Sequence, residues 1–155
     1  QLWHRVAHSG HVLPIQRVPV REAALRCWKL LWAAPCTALG LVLSAIPLTC
    51  GGNARWSGGA LEVCLRQGIP GCGPLARRLP FRAIVFGHVI LAVSSEELRH
   101  LGPHERVHVR QYERWGVLFF VAYAASGIAQ LFRGRSPYWY NRFEIEARRS
   151  AGSTS

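Results

Sequence analysis

His104 and His108 are the residues of this chain whose types and spacing point most directly to chemistry. On an α-helix, positions four apart lie on one face, so the two imidazoles can close on a single metal ion. Glu105 stands beside the first histidine, free to take a proton from water held at that metal. Two histidines are one ligand short of a catalytic zinc site, which uses three protein ligands and keeps a fourth position open. The same five residues also fit a helix with two solvated histidines. What decides between these is whether other elements bring a third ligand and a dry wall to the pair.

Composition removes several alternatives. The chain has 155 residues and is 50% hydrophobic, enough for one domain with a core. All 8 acidic residues are Glu. Without Asp there is no Ser-His-Asp triad, no aspartic dyad and no EF-hand loop. The net charge of +11 attracts anions, whether lipid headgroups or nucleic acid. The arginines are scattered, and no helix-turn-helix, zinc-finger or aromatic RNA-binding signature accompanies them, so no dedicated nucleic-acid role is expected. The 5 cysteines include no CxxC pair, which speaks against a disulfide framework or Cys-ligated zinc.

The elements read in order as follows. Residues 1–29 form a basic, flexible arm with His4, His8 and His11 loosely clustered. Residues 30–50 carry no charge over about the 20 positions that a bilayer-spanning helix needs, with Trp28 and Trp32 at its leading end. A wholly buried apolar helix is the alternative. Ser57-Gly58-Gly59 signals a turn in a small hairpin, and residues 66–80 read as a loop. Phe81 to Val93 has strand character, with Gly87 marking a bulge or close backbone approach and His88 packed on the sheet face. Ser94 to Glu97 cap a short turn. The motif helix is predicted from Pro103, suited to a first turn, to Trp115, with Gly116 as its terminator. On that helix Arg106, Arg110 and Arg114 form a row that is either solvated or rests on anionic headgroups.

Val117 to Phe132 is a second apolar run. At 1.5 Å per residue it spans only about 24 Å, short of the roughly 30 Å hydrocarbon core, so it is predicted to fold back. After a turn at Gly134 to Pro137, Asn141 caps a last short helix with Glu144 in its first turn. The third ligand is then Glu144. The expected class is α+β: an apolar N-terminal helix (30–50), a metal-binding domain (51–149) with a hairpin/strand unit, the motif helix, a folded-back apolar helix and a glutamate helix, and a tail (150–155).

With HERVH followed by Glu144-Ile-Glu-Ala147, the chain resembles the gluzincin zinc peptidases, particularly small membrane-associated bacterial members, over roughly residues 25–149. The resemblance implies a zincin-like fold, a zinc ion on His104, His108 and Glu144 with Glu146 as the fallback ligand, Glu105 as the base, and location at the bacterial inner membrane. Many members carry Asp four residues after the ligand Glu, where it orients a histidine; here that position is Arg148. Orientation must then come from Gln111, Glu113 or a backbone carbonyl. Tyr112 is a packing aromatic or an oxyanion donor. The expected activity is zinc-dependent hydrolysis of a peptide or protein at the lipid bilayer, with the substrate held along the Phe81–Val93 strand. The alternative is a non-enzymatic membrane protein keeping the HExxH fold as a scaffold.

Overall fold

The structure, a computed structural model, describes residues 20–65 and 81–152. Its elements in chain order are α1 (Val20–Thr49), β1 (Asn53–Ser57), β2 (Ala60–Cys64), β3 (Ala83–Phe86), β4 (Val89–Ala92), α2 (Ser95–Trp115), α3 (Leu118–Phe132) and α4 (Arg142–Gly152). The four strands form one mixed sheet in the order β1-β2-β4-β3, with β2 and β4 parallel and the outer pairs antiparallel. The class is therefore α+β. Ala33 of α1, Val85 and Ile90 of the sheet, Val109 and Tyr112 of α2, Phe119 of α3 and Phe143 of α4 meet in a single core.

α1 starts ten residues earlier than the apolar run, so residues 20–29, expected in a flexible arm, are its first turns. Its inward stripe is made of small residues three or four apart: Ala33, Cys36, Gly40 and Ser44 are all buried. Gly40 lies so close to Val89 and Phe86 that any side chain there would collide with the β3–β4 hairpin. The opposite face is apolar and open, with Leu31 and Val42 each 69% exposed. By length and composition Ala24–Thr49 is able to cross a membrane.

The β1–β2 hairpin forms where Ser57-Gly58-Gly59 signals it, both glycines having positive φ (57° and 83°). Phe81 to Val93 is not one strand. Gly87 has φ 59° and its backbone abuts Thr37 of α1, so the chain reverses there and gives the β3–β4 pair. The close approach expected of Gly87 is present, but a turn rather than a bulge exploits it. His88 sits in that turn, buried; its backbone N–H donates to Thr37 Oγ1 and its ring Nδ1 lies 3.3 Å from the same hydroxyl.

The motif helix begins at Ser95, eight residues before Pro103, which lies in its interior. Ser94 is the cap of this whole helix and not of a separate turn: its Oγ accepts from Glu97 N–H at 3.1 Å, with Glu96 and Glu97 in the first turn. An interior proline costs about 3 kcal/mol in helix propensity. Burial of Leu98, Val107 and Val109 on either side of it offsets that cost. α2 ends at Gly116, whose φ is 56° and whose open side is filled by the Trp32 indole. The axis of α3 turns away from α2 by 115°, so Val117 to Phe132 folds back as predicted. The predicted tail begins late: Ser150 to Gly152 still belong to α4. The His4, His8 and His11 cluster, the loop at 66–80 and Cys72 lie outside the described residues.

Candidate metal centre

α2 presents the two histidines on one face, and the fold-back of α3 returns α4 to that face. Asn141, fully buried, fixes the return: its Oδ1 accepts from Phe143 N–H at 3.1 Å while its Nδ2 donates to the Tyr123 carbonyl at 3.1 Å. This places Glu144 in the first turn of α4, facing the histidines. His104 Nε2 is 3.2 Å from Glu144 Oε2, His108 Nε2 is 3.3 Å from Glu144 Oε1, and the two ring nitrogens are 3.1 Å apart.

The arrangement beyond these three residues sets how they present their lone pairs. Gln111, one turn after His108, donates through Nε2 to the Phe143 carbonyl (3.2 Å) and to Glu146 Oε2 (3.1 Å). Its Oε1 is thereby turned toward His108 Nδ1, 2.8 Å away, and accepts the Nδ1–H. In the neutral ring this leaves the His108 Nε2 lone pair aimed at Glu144, and in the protonated ring Nε2–H donates to the carboxylate. Two imidazole nitrogens and a carboxylate converging on one point within 4.8 Å need either a ring proton or a metal cation among them. Glu144 Oε2 is buried, with His104 Nε2 as the nitrogen closest to it at 3.2 Å. The donor set fits a zinc ion, two neutral imidazoles and a carboxylate being a common catalytic zinc set.

Electrostatics follow from this packing. Burial works against the Glu144 carboxylate, yet hydrogen bonds from the His104 and His108 imidazoles, with the Tyr123 hydroxyl, hold it well below the usual carboxylate range. Burial likewise penalises the His108 imidazolium, but Glu144 and Gln111 outweigh it and raise the pKa. Glu105 is buried and its pKa is raised, by desolvation first, with the two histidines opposing and Glu144 adding to the shift. A raised carboxylate next to a metal position is the condition for an efficient base.

The site forms the floor of a cavity of about 740 Å³. One wall is β3 with the residues before it, Phe81 to Phe86; the others are Tyr112, Phe119, Phe120, Tyr123 and, at the mouth, Tyr138 and Trp139. β3 is an edge of the sheet among the described residues, so one side of its backbone is unpaired.

Comparison with known proteins finds no match: no protein-family model, curated protein or solved structure resembles the chain.

Of the residues singled out from the sequence, His104, Glu105, His108 and Glu144 come together at the cavity. Glu146 does not join them; it accepts from Gln111 and lies 3.8 Å from Arg114. Glu113 is also elsewhere, paired with Lys29 at 3.0 Å and 3.6 Å from His88. Tyr112 packs edge-on against Phe119, with ring centroids 4.5 Å apart. Arg106 leaves the row expected to be solvated or to rest on headgroups: it reaches buried Glu62, which Arg55 also contacts, and donates to Ser57 Oγ, pinning α2 to the β1–β2 hairpin. Sequence reading missed Tyr123, whose hydroxyl donates to Glu144 Oε1 at 2.8 Å. The available signal was a phenol set among the apolar residues of α3, where only a polar partner explains it.

Proposed function

We propose that this protein is a membrane-attached, zinc-dependent metallopeptidase. The observation that carries the reading is the convergence of His104, His108 and Glu144 within 4.8 Å, beside buried Glu105 and in a cavity walled by β3, an edge strand among the described residues. His104, His108 and Glu144 would hold the zinc, which when bound would supply Lewis acidity for water and for a carbonyl.

The chain's own residues do the rest. Gln111 keeps His108 in the tautomer that offers Nε2, and Tyr123 holds one Glu144 oxygen so that the carboxylate keeps its orientation. Glu105 takes the proton from water and passes it to the leaving amine. The aromatic walls lower the local polarity around these groups and strengthen their interactions. β3 offers its unpaired backbone to an extended peptide, which adds as a further strand across the site. Attachment to the bilayer is through the outward apolar face of α1, because the inward face is packed on the sheet.

A Glu105→Gln variant tests the reading against a purely structural metal site. Purified in detergent with zinc, it should retain the metal and fail to cleave a peptide library that the natural protein cleaves. Cleavage by the variant at an undiminished rate removes Glu105 as the base, and no cleavage by either protein favours the scaffold.

A further inference from the structure

Arg148 stands in the cavity, one turn along α4 from Glu144. Its Nη2 donates to the Trp139 carbonyl, and the guanidinium lies over the Trp139 ring (5.1 Å to the centroid) and near the Tyr138 ring (5.9 Å). These contacts fix the cation in place. Nη1 is buried and has no hydrogen-bond partner; the nearest carboxylate oxygen, Glu144 Oε2, is 3.8 Å away, beyond hydrogen-bonding distance. The side chain remains 32% exposed.

The charge balance around it asks for an anion. Once Glu144 is engaged as a metal ligand, its negative charge is shared with the ion and attracts Arg148 less. A divalent ion and Arg148 against Glu144 and Glu105 leave the cavity floor net positive. Arg82, the other basic side chain lining the cavity among the described residues, is already paired with Glu97 at 2.7 Å. A planar guanidinium with unused donors, steadied by aromatic rings, matches a carboxylate. The surplus of 19 basic over 8 acidic residues draws such ligands toward the molecule.

We infer that Arg148 is a carboxylate-binding subsite, which makes the substrate class of the proposed peptidase a peptide bearing a carboxylate near the scissile bond. The inference rests on the metallopeptidase reading and deepens it. The carboxylate is either the peptide's own C-terminus or an acidic side chain, and both present the same group to the guanidinium.

The test is calorimetric titration of the zinc-loaded protein in the Glu105→Gln background, so that peptides are bound without being consumed. The probes are an alanine pentapeptide with a free C-terminus, its C-terminal amide, and amidated forms carrying a central glutamate or glutamine. Binding should be about tenfold or more tighter for one carboxylate form than for its neutral counterpart, as a charge-assisted hydrogen bond provides. The free-acid pair reports a C-terminal carboxylate, and the Glu/Gln pair reports a side chain. Adding Arg148→Gln should abolish the preference with zinc content unchanged, and Arg148→Lys should restore part of it. Equal binding of acid and neutral forms, no binding of any, or a preference that survives Arg148→Gln overturns the inference. Zinc content, measured first, separates the two levels. No zinc uptake removes the peptidase reading together with the inference, whereas zinc uptake without carboxylate preference removes the inference alone.

Discussion

His108 and Gln111 are joined by a 2.8 Å contact between Nδ1 and Oε1, and the amide of Gln111 is itself held by the Phe143 carbonyl and Glu146. His108 on α2 is thus oriented from α4, the helix that carries Glu144. Loss of such an outer partner typically costs 10–100-fold in metal affinity. Gln111→Leu should weaken zinc binding by about that factor while leaving the helix content intact. Competition with a chromophoric chelator measures it; unchanged affinity would show that His108 needs no orienting partner.

Tyr123 holds the other end of the site through its 2.8 Å bond to Glu144 Oε1. Tyr123→Phe keeps the ring that packs on Phe119 and Phe143 and deletes only the donor. Zinc affinity should drop by roughly three- to tenfold, less than for Gln111→Leu, since Glu144 retains its place in the first turn of α4. A larger loss would assign the phenol a greater share in holding the ligand.

The pH dependence of the metal-free fold follows from the directions of its shifts. Glu144, held low, contributes stability that is present above the unfolded carboxylate value of about 4.3 and is lost as pH falls through its folded value. His108, held high, contributes stability that is complete below about 6.5 and is lost as pH rises through its raised folded value. Glu105, raised by burial, removes stability as pH climbs from about 4.3 to its folded value. Thermal melts of the metal-free protein should therefore peak between roughly pH 4.3 and 6.5, and Glu144→Gln should flatten the acid limb. Zinc displaces the His108 proton, so its affinity should rise with pH.

Gly116 is where the second half of the site is made reachable. A side chain there meets both a positive φ and the Trp32 indole. Gly116→Val should destabilise the fold by about 2 kcal/mol or more, through backbone strain and displacement of Trp32. Chemical denaturation gives the value; a change within about 0.5 kcal/mol would mean that the 115° bend is set elsewhere.

The parts of this site that were legible in the sequence are those carried by local chemistry. The i, i+4 histidines, the paired turn glycines, Gly116 and the Asn141 cap each announce themselves within a few residues. The shortness of Val117 to Phe132 was enough to predict the fold-back that delivers Glu144. Two local rules misled. Pro103 looks like a helix start, but Ser94 had already capped the helix and burial on both sides carries it through the proline. Gly87 inside a β-branched run reads as a bulge or a close backbone approach; the approach is there, against Thr37 fifty residues away in sequence, but the chain turns where a bulge was the other expectation. Arg106, Tyr123 and Arg148 were illegible for the same reason: each acts on a partner from another element, and neither charge nor hydropathy pattern encodes that pairing.

The central claim is a single zinc held by side chains from two helices, and elemental analysis of the purified full chain tests it most directly. One zinc per chain is expected, retained by Glu105→Gln and lost by both His108→Ala and Glu144→Ala. No zinc in the natural protein, or zinc that survives both ligand substitutions, would contradict it.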